Sequence, residues 1–235
     1  MEKITSNKFI PYGFSLIEMA IVLFIVALLL GGLLPTISSQ LEQKNRSDTR
    51  KQLDEIQQAL FGYAIINKRL PCPAIKNQTM LVNPATAGRP DINITTGTCN
   101  TNPGVLPWIE LGLNETDAWG RRFTYSVTSS AFTTNLGFTL ASTGTLTIQD
   151  ATVGNIIASN IPAVVISHGA NGKGAYTPQG IQIPNTSAGT DEITNSTIGT
   201  TLFVSHDSRP DFDDQVVWIS PNTLFNRMVA ASVLP

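Results

Sequence analysis

The sequence predicts an α+β fold in which one long N-terminal helix precedes a mainly antiparallel β-sheet domain, and three observations carry that prediction. Residues 14–67 contain a single proline, Pro35, and are compatible with helix throughout. Composition changes abruptly after "NKRLPCPA", where Asn, Thr, Gly, Pro and Ser become frequent. Beyond that point apolar residues come in short runs bounded by turn formers, which is the pattern of strands. At 235 residues the chain has room for one anchor segment and one globular domain able to bury its own core.

Residues 1–13 form a short leader with Lys3 and Lys8 and no acidic run. Residues 14–34 are expected to be the transmembrane half of the helix, since Phe14 to Leu34 would cover roughly 30 Å, the thickness of a hydrocarbon core. A secretory signal peptide has a shorter apolar region and a small-residue cleavage site, and "GGLLPTISSQ" offers no alanine pair at the right spacing. The short basic leader suits a cytoplasmic N-terminus with the rest of the chain exported. Glu18 stands out inside the apolar run, because a carboxylate there costs about 2.5–3.5 kcal/mol on insertion scales. It therefore needs a partner.

Residues 35–69 are expected to continue as an amphipathic helix. Leu53, Ile56, Leu60, Tyr63 and Ile66 recur at spacings of three and four and predict one packed face. Pro35, preceded by Gly31 and Gly32, is expected to kink the junction, because proline removes a donor and clashes with the carbonyl four residues back. Six of the fifteen basic residues fall between Lys44 and Arg69 among acids, which reads as a solvated helix face.

Residues 70–235 are expected to be a β-rich domain with strands in "RFTYSVT", "GFTLAST", "TLTIQD", "AVVISH", "TLFVSH" and "QVVWIS". Segments 76–104 and 175–200 lack periodicity and read as loops. The only cysteines, Cys72 and Cys99, would face an oxidising compartment after export and are expected to pair, the other reading being two unrelated buried thiols. Such a bridge would contribute on the order of 3–4 kcal/mol in the chain-entropy model. In "SPNTLFNRMVAASVL", Pro221 after Ser220 marks a helix start, with Leu224, Phe225, Met228 and Val229 on one side.

Several chemistries are disfavoured. A net charge of -2 with 14% charged residues leaves no basic patch for nucleic acid. His168 and His206 each follow a serine, but adjacent residues on a strand point to opposite faces, so "SHD" at 205–207 does not make a catalytic triad. "GANGKG" at 169–174 lacks the spacing of a phosphate-binding loop and reads as a turn. Trp108, Trp119, Trp218 and Met228 read as core, with Trp119 anchoring a turn. The segment "HDSRPDFDD" places Asp207, Asp211, Asp213 and Asp214 close together. Composition alone makes it a solvated acidic loop, although Asp, Asn and Gly can supply the oxygens a hard cation requires.

The leader and helix start read "YGFSLIEMAIVLF": a basic leader ending in glycine, then "FSLIE", then an unbroken apolar helix running into an amphipathic one. This arrangement closely resembles the prepilin signature of type IV pilins and type II secretion pseudopilins. The resemblance implies cleavage by a prepilin peptidase after Gly13 and methylation of the new N-terminus at Phe14. It makes Pro35 the helix-loosening proline of many pilins and the fold pilin-like. It also supplies a partner for Glu18: the terminal amine of Phe14 on a neighbouring copy, which would make the carboxylate a registry device in a helical filament. A weaker resemblance to major pseudopilins runs through "VLPWIELGLNETDAWGRRFTYSV", where Ala118 stands in place of a proline, and through "ISHGANGKGAY" followed by "FDDQVVWIS". Major members carry calcium in this last region, which makes Asp211, Asp213 and Asp214 the candidate calcium ligands. Residues 175–205 depart from the pattern by their length.

The function this implies is structural rather than enzymatic: a processed subunit of a type II secretion-like pseudopilus, or alternatively a major or minor subunit of a type IV pilus. The implied partners are the peptidase, other copies and minor pilin-like subunits, an inner-membrane assembly platform and membrane lipid. The implied location is a bacterial inner membrane, single-pass, with the domain in the periplasm. An anchored periplasmic binding module or enzyme is the remote alternative.

Overall fold

The computed structural model describes residues 13, 15–197 and 199–234, with side chains throughout that range except at 30–37. The chain divides into two compact units, Met1–Lys44 and Asn45–Pro235, and helix α1 (Leu16–Asn67) contributes to both. Phe14, and with it the expected cleavage junction after Gly13, lies outside the described residues, as does the side chain of Pro35.

The first unit corrects the expected fold and location. Among the described residues no helix is long and apolar enough to cross a membrane. The described side chains of α1 fall in two stretches, Leu16–Leu29 and Ser38–Asn67, and only the first is apolar. The α+β class with antiparallel pairing stands, but the long helix with a transmembrane half does not, and the single-pass inner-membrane anchor falls with it.

The second unit is built on two sheets. β1 (Gly104–Val105), β2 (Thr124–Val127), β5 (Ala163–Ser167) and β7 (Gln215–Ile219) form an antiparallel sheet in the order β1-β2-β5-β7. β3 (Leu146–Gln149), β4 (Ile156–Ile161) and β6 (Leu202–Val204) form a smaller sheet in the order β4-β3-β6, with β3 and β4 antiparallel and β3 and β6 parallel. Among the described residues four short helices complete it: α2 (Trp108–Leu111), α3 (Ser129–Phe132), α4 (Thr190–Ser196) and α5 (Pro221–Ala230).

The main core joins Leu53, Ile56, Leu60 and Ala64 of α1 to Phe123, Tyr125 and Val127, to Val165 and Ile219, and to Leu224 and Met228 of α5. The α1 stripe runs 53, 56, 60, 64, so the helical period carries it away from Ile66, which is exposed against expectation. A smaller cluster of Leu146, Ile148, Ile161, Val164, Ile166 and Phe203 lies under the second sheet. Five of the six expected strands are present. "GFTLAST" is instead a turn, because Gly137 takes a positive φ of 75° and Ser142 closes back onto Thr139. Cys72 and Cys99 are bonded to each other.

The long loops are fastened by one cation. Arg122 is fully buried and donates to Glu115 Oε1 at 2.6 and 2.8 Å and to the carbonyls of Lys76, Gln78 and Pro178 at 2.8–3.0 Å. Its guanidinium also lies 4.8 Å from the ring centre of Trp108. A planar group with five donors can serve several loops at once, which an ammonium cannot.

Candidate metal centre

Strand register brings the site together. β5 is buried along its whole length between β2 and β7, and Ser167 at its end faces Gln215 at the start of β7. The residues just after β5 therefore lie beside those just before β7, so the turn from His168 to Gly174 meets Asp213 and Asp214. Gly169, at φ 56°, permits this approach: a Cβ there would sit 2.3 Å from the Asp213 carbonyl oxygen and 2.6 Å from its carboxylate.

The third contributor is α4, from a segment expected to be loop. Asp191 and Glu192 occupy its first turn, where the helix dipole favours negative charge, and Glu192 and Asn195 share one buried face at a spacing of three. One oxygen from each of Glu192, Asp213 and Asp214 lies within 4.8 Å of the others.

Each carboxylate is held by one oxygen and left free at the other. Glu192 Oε1 accepts from Asn171 Nδ2 at 2.6 Å and from the Asp213 amide at 3.2 Å. Asp213 Oδ2 accepts from the Asn171 amide at 2.8 Å, and Asp214 Oδ2 from Asn195 Nδ2 at 2.9 Å. Glu192 Oε2, Asp213 Oδ1 and Asp214 Oδ1 are buried without a hydrogen-bond partner. Buried His168 pairs Nε2 with Thr124 Oγ1 at 2.8 Å, while its Nδ1 stands 3.6 Å from Asp214 Oδ1, beyond hydrogen-bond length. Burial, opposed by the Asn171 amide and reinforced by Asp214 and Glu192, pushes the Asp213 carboxyl up to about 6.

Three buried carboxylates, each oriented by an amide with its second oxygen unsatisfied, are costly unless positive charge meets them. A hard divalent cation such as calcium fits this oxygen set, its remaining ligands being carbonyls or water. Of the expected ligands the structure brings Asp213 and Asp214 together and leaves Asp211 exposed. Glu192 takes the third place. Its one signal in the sequence is isolation, as the only glutamate after Glu115 and the neighbour of Asp191.

The remaining candidates are placed elsewhere. His206 lies over Phe212 at 3.9 Å and pairs with Asp191 at 3.2 Å, so "SHD" forms no relay. "GANGKG" is a turn whose Asn171 serves the carboxylates. In "DAWG" the turn is fixed by Asp117, whose Oδ1 accepts from the Trp119 and Arg121 amides and whose Oδ2 accepts from Ser167 Oγ. In the first unit, the Ser15 amide donates to Glu18 Oε2 at 2.8 Å and the Glu18 amide donates to Ser15 Oγ at 3.3 Å. That reciprocal pair is a capping box at the start of α1, and it gives Glu18 a partner within its own chain. Comparison with family models, with curated proteins and with solved structures finds no match to this chain.

Proposed function

We propose that the chain is a prepilin-like structural subunit, processed after Gly13 and assembled through its N-terminal helix into a pseudopilus-type filament. The observation that carries this reading is the first stretch of α1. It follows the leader signature directly, and from Leu16 to Leu29 its large apolar side chains are exposed on every side, Leu16 by 91% and Phe24 by 66%. An apolar surface of that extent requires cover, and like helices stacked in a filament provide it. Glu18 then has two partners in succession: the Ser15 amide in the free chain and the amine of a neighbour's Phe14 on assembly. The cation centre fastens α4 and the residues before β7 within the second unit, so calcium or a similar ion is a structural component of the subunit.

Mass spectrometry and electron microscopy of protein from its native host test the reading together. The expected result is a mature chain beginning at methylated Phe14 and recovered in filaments. A mature N-terminus beyond Leu34, or an intact leader in cells with active prepilin peptidase, overturns it.

A further inference from the structure

β6 is an edge strand, and its outward backbone is covered by side chains instead of a strand. Toward β3, Thr147 N donates to the Thr201 carbonyl at 2.8 Å and Ser205 N to the Gln149 carbonyl at 2.9 Å. Alternation then turns the amide and carbonyl of Val204 the other way. There Asn195 of α4 meets both: Val204 N donates to Asn195 Oδ1 at 2.7 Å, and Asn195 Nδ2 donates to the Val204 carbonyl at 3.0 Å. The Asn195 amide thus occupies the place of one residue of a neighbouring strand. Leu202 is served by Thr200 Oγ1 at 3.0 Å in both directions.

What holds α4 in that position is almost wholly polar. Its buried side chains are Glu192 and Asn195. Asp191 accepts from the Thr152 amide and hydroxyl at 2.7 Å and pairs with His206. Glu192 reaches Asn171 and the Asp213 amide, and Asn195 reaches Asp214. Two of these contacts bring a helix residue against the segment before β7; there one oxygen from each of Glu192, Asp213 and Asp214 lies within 4.8 Å of the others, and each carboxylate keeps one buried oxygen without a partner. Like charges at such separations repel, and α4 has no large apolar anchor to oppose them.

We propose that a hard divalent cation bound by Glu192, Asp213 and Asp214 locks α4 over the edge of β6, so that loss of the ion releases α4 and bares the backbone of Val204. This rests on the cation reading of the site but not on filament assembly. The device is a strap closed by charge neutralisation: the ion removes the repulsion, α4 seats, and Asn195 covers the strand edge. Opened, β6 presents an amide and a carbonyl in strand geometry, the arrangement that accepts an added extended segment.

The test is amide hydrogen exchange of the purified full chain in calcium chloride and in EDTA, with calorimetric titration of calcium on the same material. The expected result is calcium binding, with exchange at Val204 at least tenfold faster in EDTA while the amides of β5 change by less than twofold. Asn195→Ala should exchange rapidly at Val204 in both conditions, and because Asp214 loses the amide that orients it, calcium binding should weaken as well. Glu192→Gln, which removes one charge while keeping the shape, should weaken calcium binding and make Val204 exchange insensitive to EDTA. Absence of calcium binding overturns the site itself. Binding with unchanged exchange at Val204, or with equal acceleration throughout β5 and β6, overturns the lock while leaving the site in place.

Discussion

The two sheets of the second unit are held by different physics. The β1-β2-β5-β7 sheet lies on a core of large apolar side chains from α1, α5 and the segment around α3, where Phe132 and Phe138 meet Phe225 of α5 with ring centres 5.1–6.3 Å apart. Burial of such side chains is worth about 1.5–3 kcal/mol each and depends little on pH or ions. The β4-β3-β6 sheet has a smaller apolar cluster, and its helix α4 is seated by carboxylates and amides. The first arrangement is unconditional, whereas the second depends on what neutralises its charge. Buffer conditions should therefore act on one side of the unit and leave the other unmoved.

The largest single loss should come from Arg122, the buried cation that fastens the long loops. Arg122→Ala leaves the half-buried Glu115 and three carbonyls without their donor; breaking a fully buried pair from one side costs about 3–5 kcal/mol, and the water that reaches Glu115 makes that figure an upper bound here. Arg122→Lys should recover only part of this, since one ammonium cannot reach all four acceptors. Denaturant unfolding of the second unit within the intact chain measures both. A loss below about 1 kcal/mol for the alanine variant, well under the cost of a broken buried pair, would show that water replaces the guanidinium. Next in size, Leu60→Ala should cost about 2–5 kcal/mol at a fully buried site of the apolar core. That loss should be the same in calcium and in EDTA, and a calcium-dependent loss would break the distinction between the two sides.

The same distinction explains how much of the fold is legible in the sequence. β2, β3, β5, β6 and β7 are legible because short apolar runs between turn formers have few other structures open to them. "IIASNI" of β4 is not, because Ile156 and Ile157 face solvent at a sheet edge and only Ile161 at its end is buried, so no alternation marks a buried face. α4 reads as loop for a related reason: "TDEITNS" has no apolar stripe, since the face it buries is Glu192 and Asn195. Periodicity detects burial of apolar groups, so a polar helix seated by charge is invisible to it. Asp213 and Asp214 are legible through their spacing in the chain, but Glu192 enters only through the fold. The membrane-length reading of 14–34 is not supported, since among the described residues no helix is long and apolar enough to cross a membrane.

A pH series separates the two sides more gently. Asp213 is pushed up to about 6 by burial and its acidic neighbours, above the ordinary carboxylate range near 4. The folded ion-free chain therefore binds more protons than the unfolded chain between about pH 4 and 6. Stability falls as pH rises through that window, and the ion-free protein should melt higher at pH 5 than at pH 7. Asp213→Asn should flatten this slope. With calcium bound the sign should reverse, because protons then compete with the ion. Melting curves in EDTA and in calcium across pH 4.5–7.5 decide the matter. An ion-free stability that rises steadily with pH would show that these carboxylates carry no strain.

The smallest effect on folding is expected in the first unit, where Ser15 and Glu18 exchange hydrogen bonds at the start of α1. Loss of an N-cap costs about 0.5–2 kcal/mol of local helix stability, and both residues are exposed, so neither Ser15→Ala nor Glu18→Ala should move the unfolding midpoint of the second unit. Filament yield is the informative readout, because the two substitutions remove the same capping box and only one removes a charge. If Glu18 serves the cap alone, the two variants should assemble equally well. If its carboxylate also receives a neighbour's Phe14 amine, Glu18→Ala should assemble far more poorly than Ser15→Ala, and Glu18→Gln should resemble the alanine variant despite keeping an oxygen for the cap. Cleavage after Gly13 should be unaffected in all three, so that yield per processed chain isolates the assembly step. Equal yields from the serine and glutamate variants would leave the carboxylate a helix cap and nothing more.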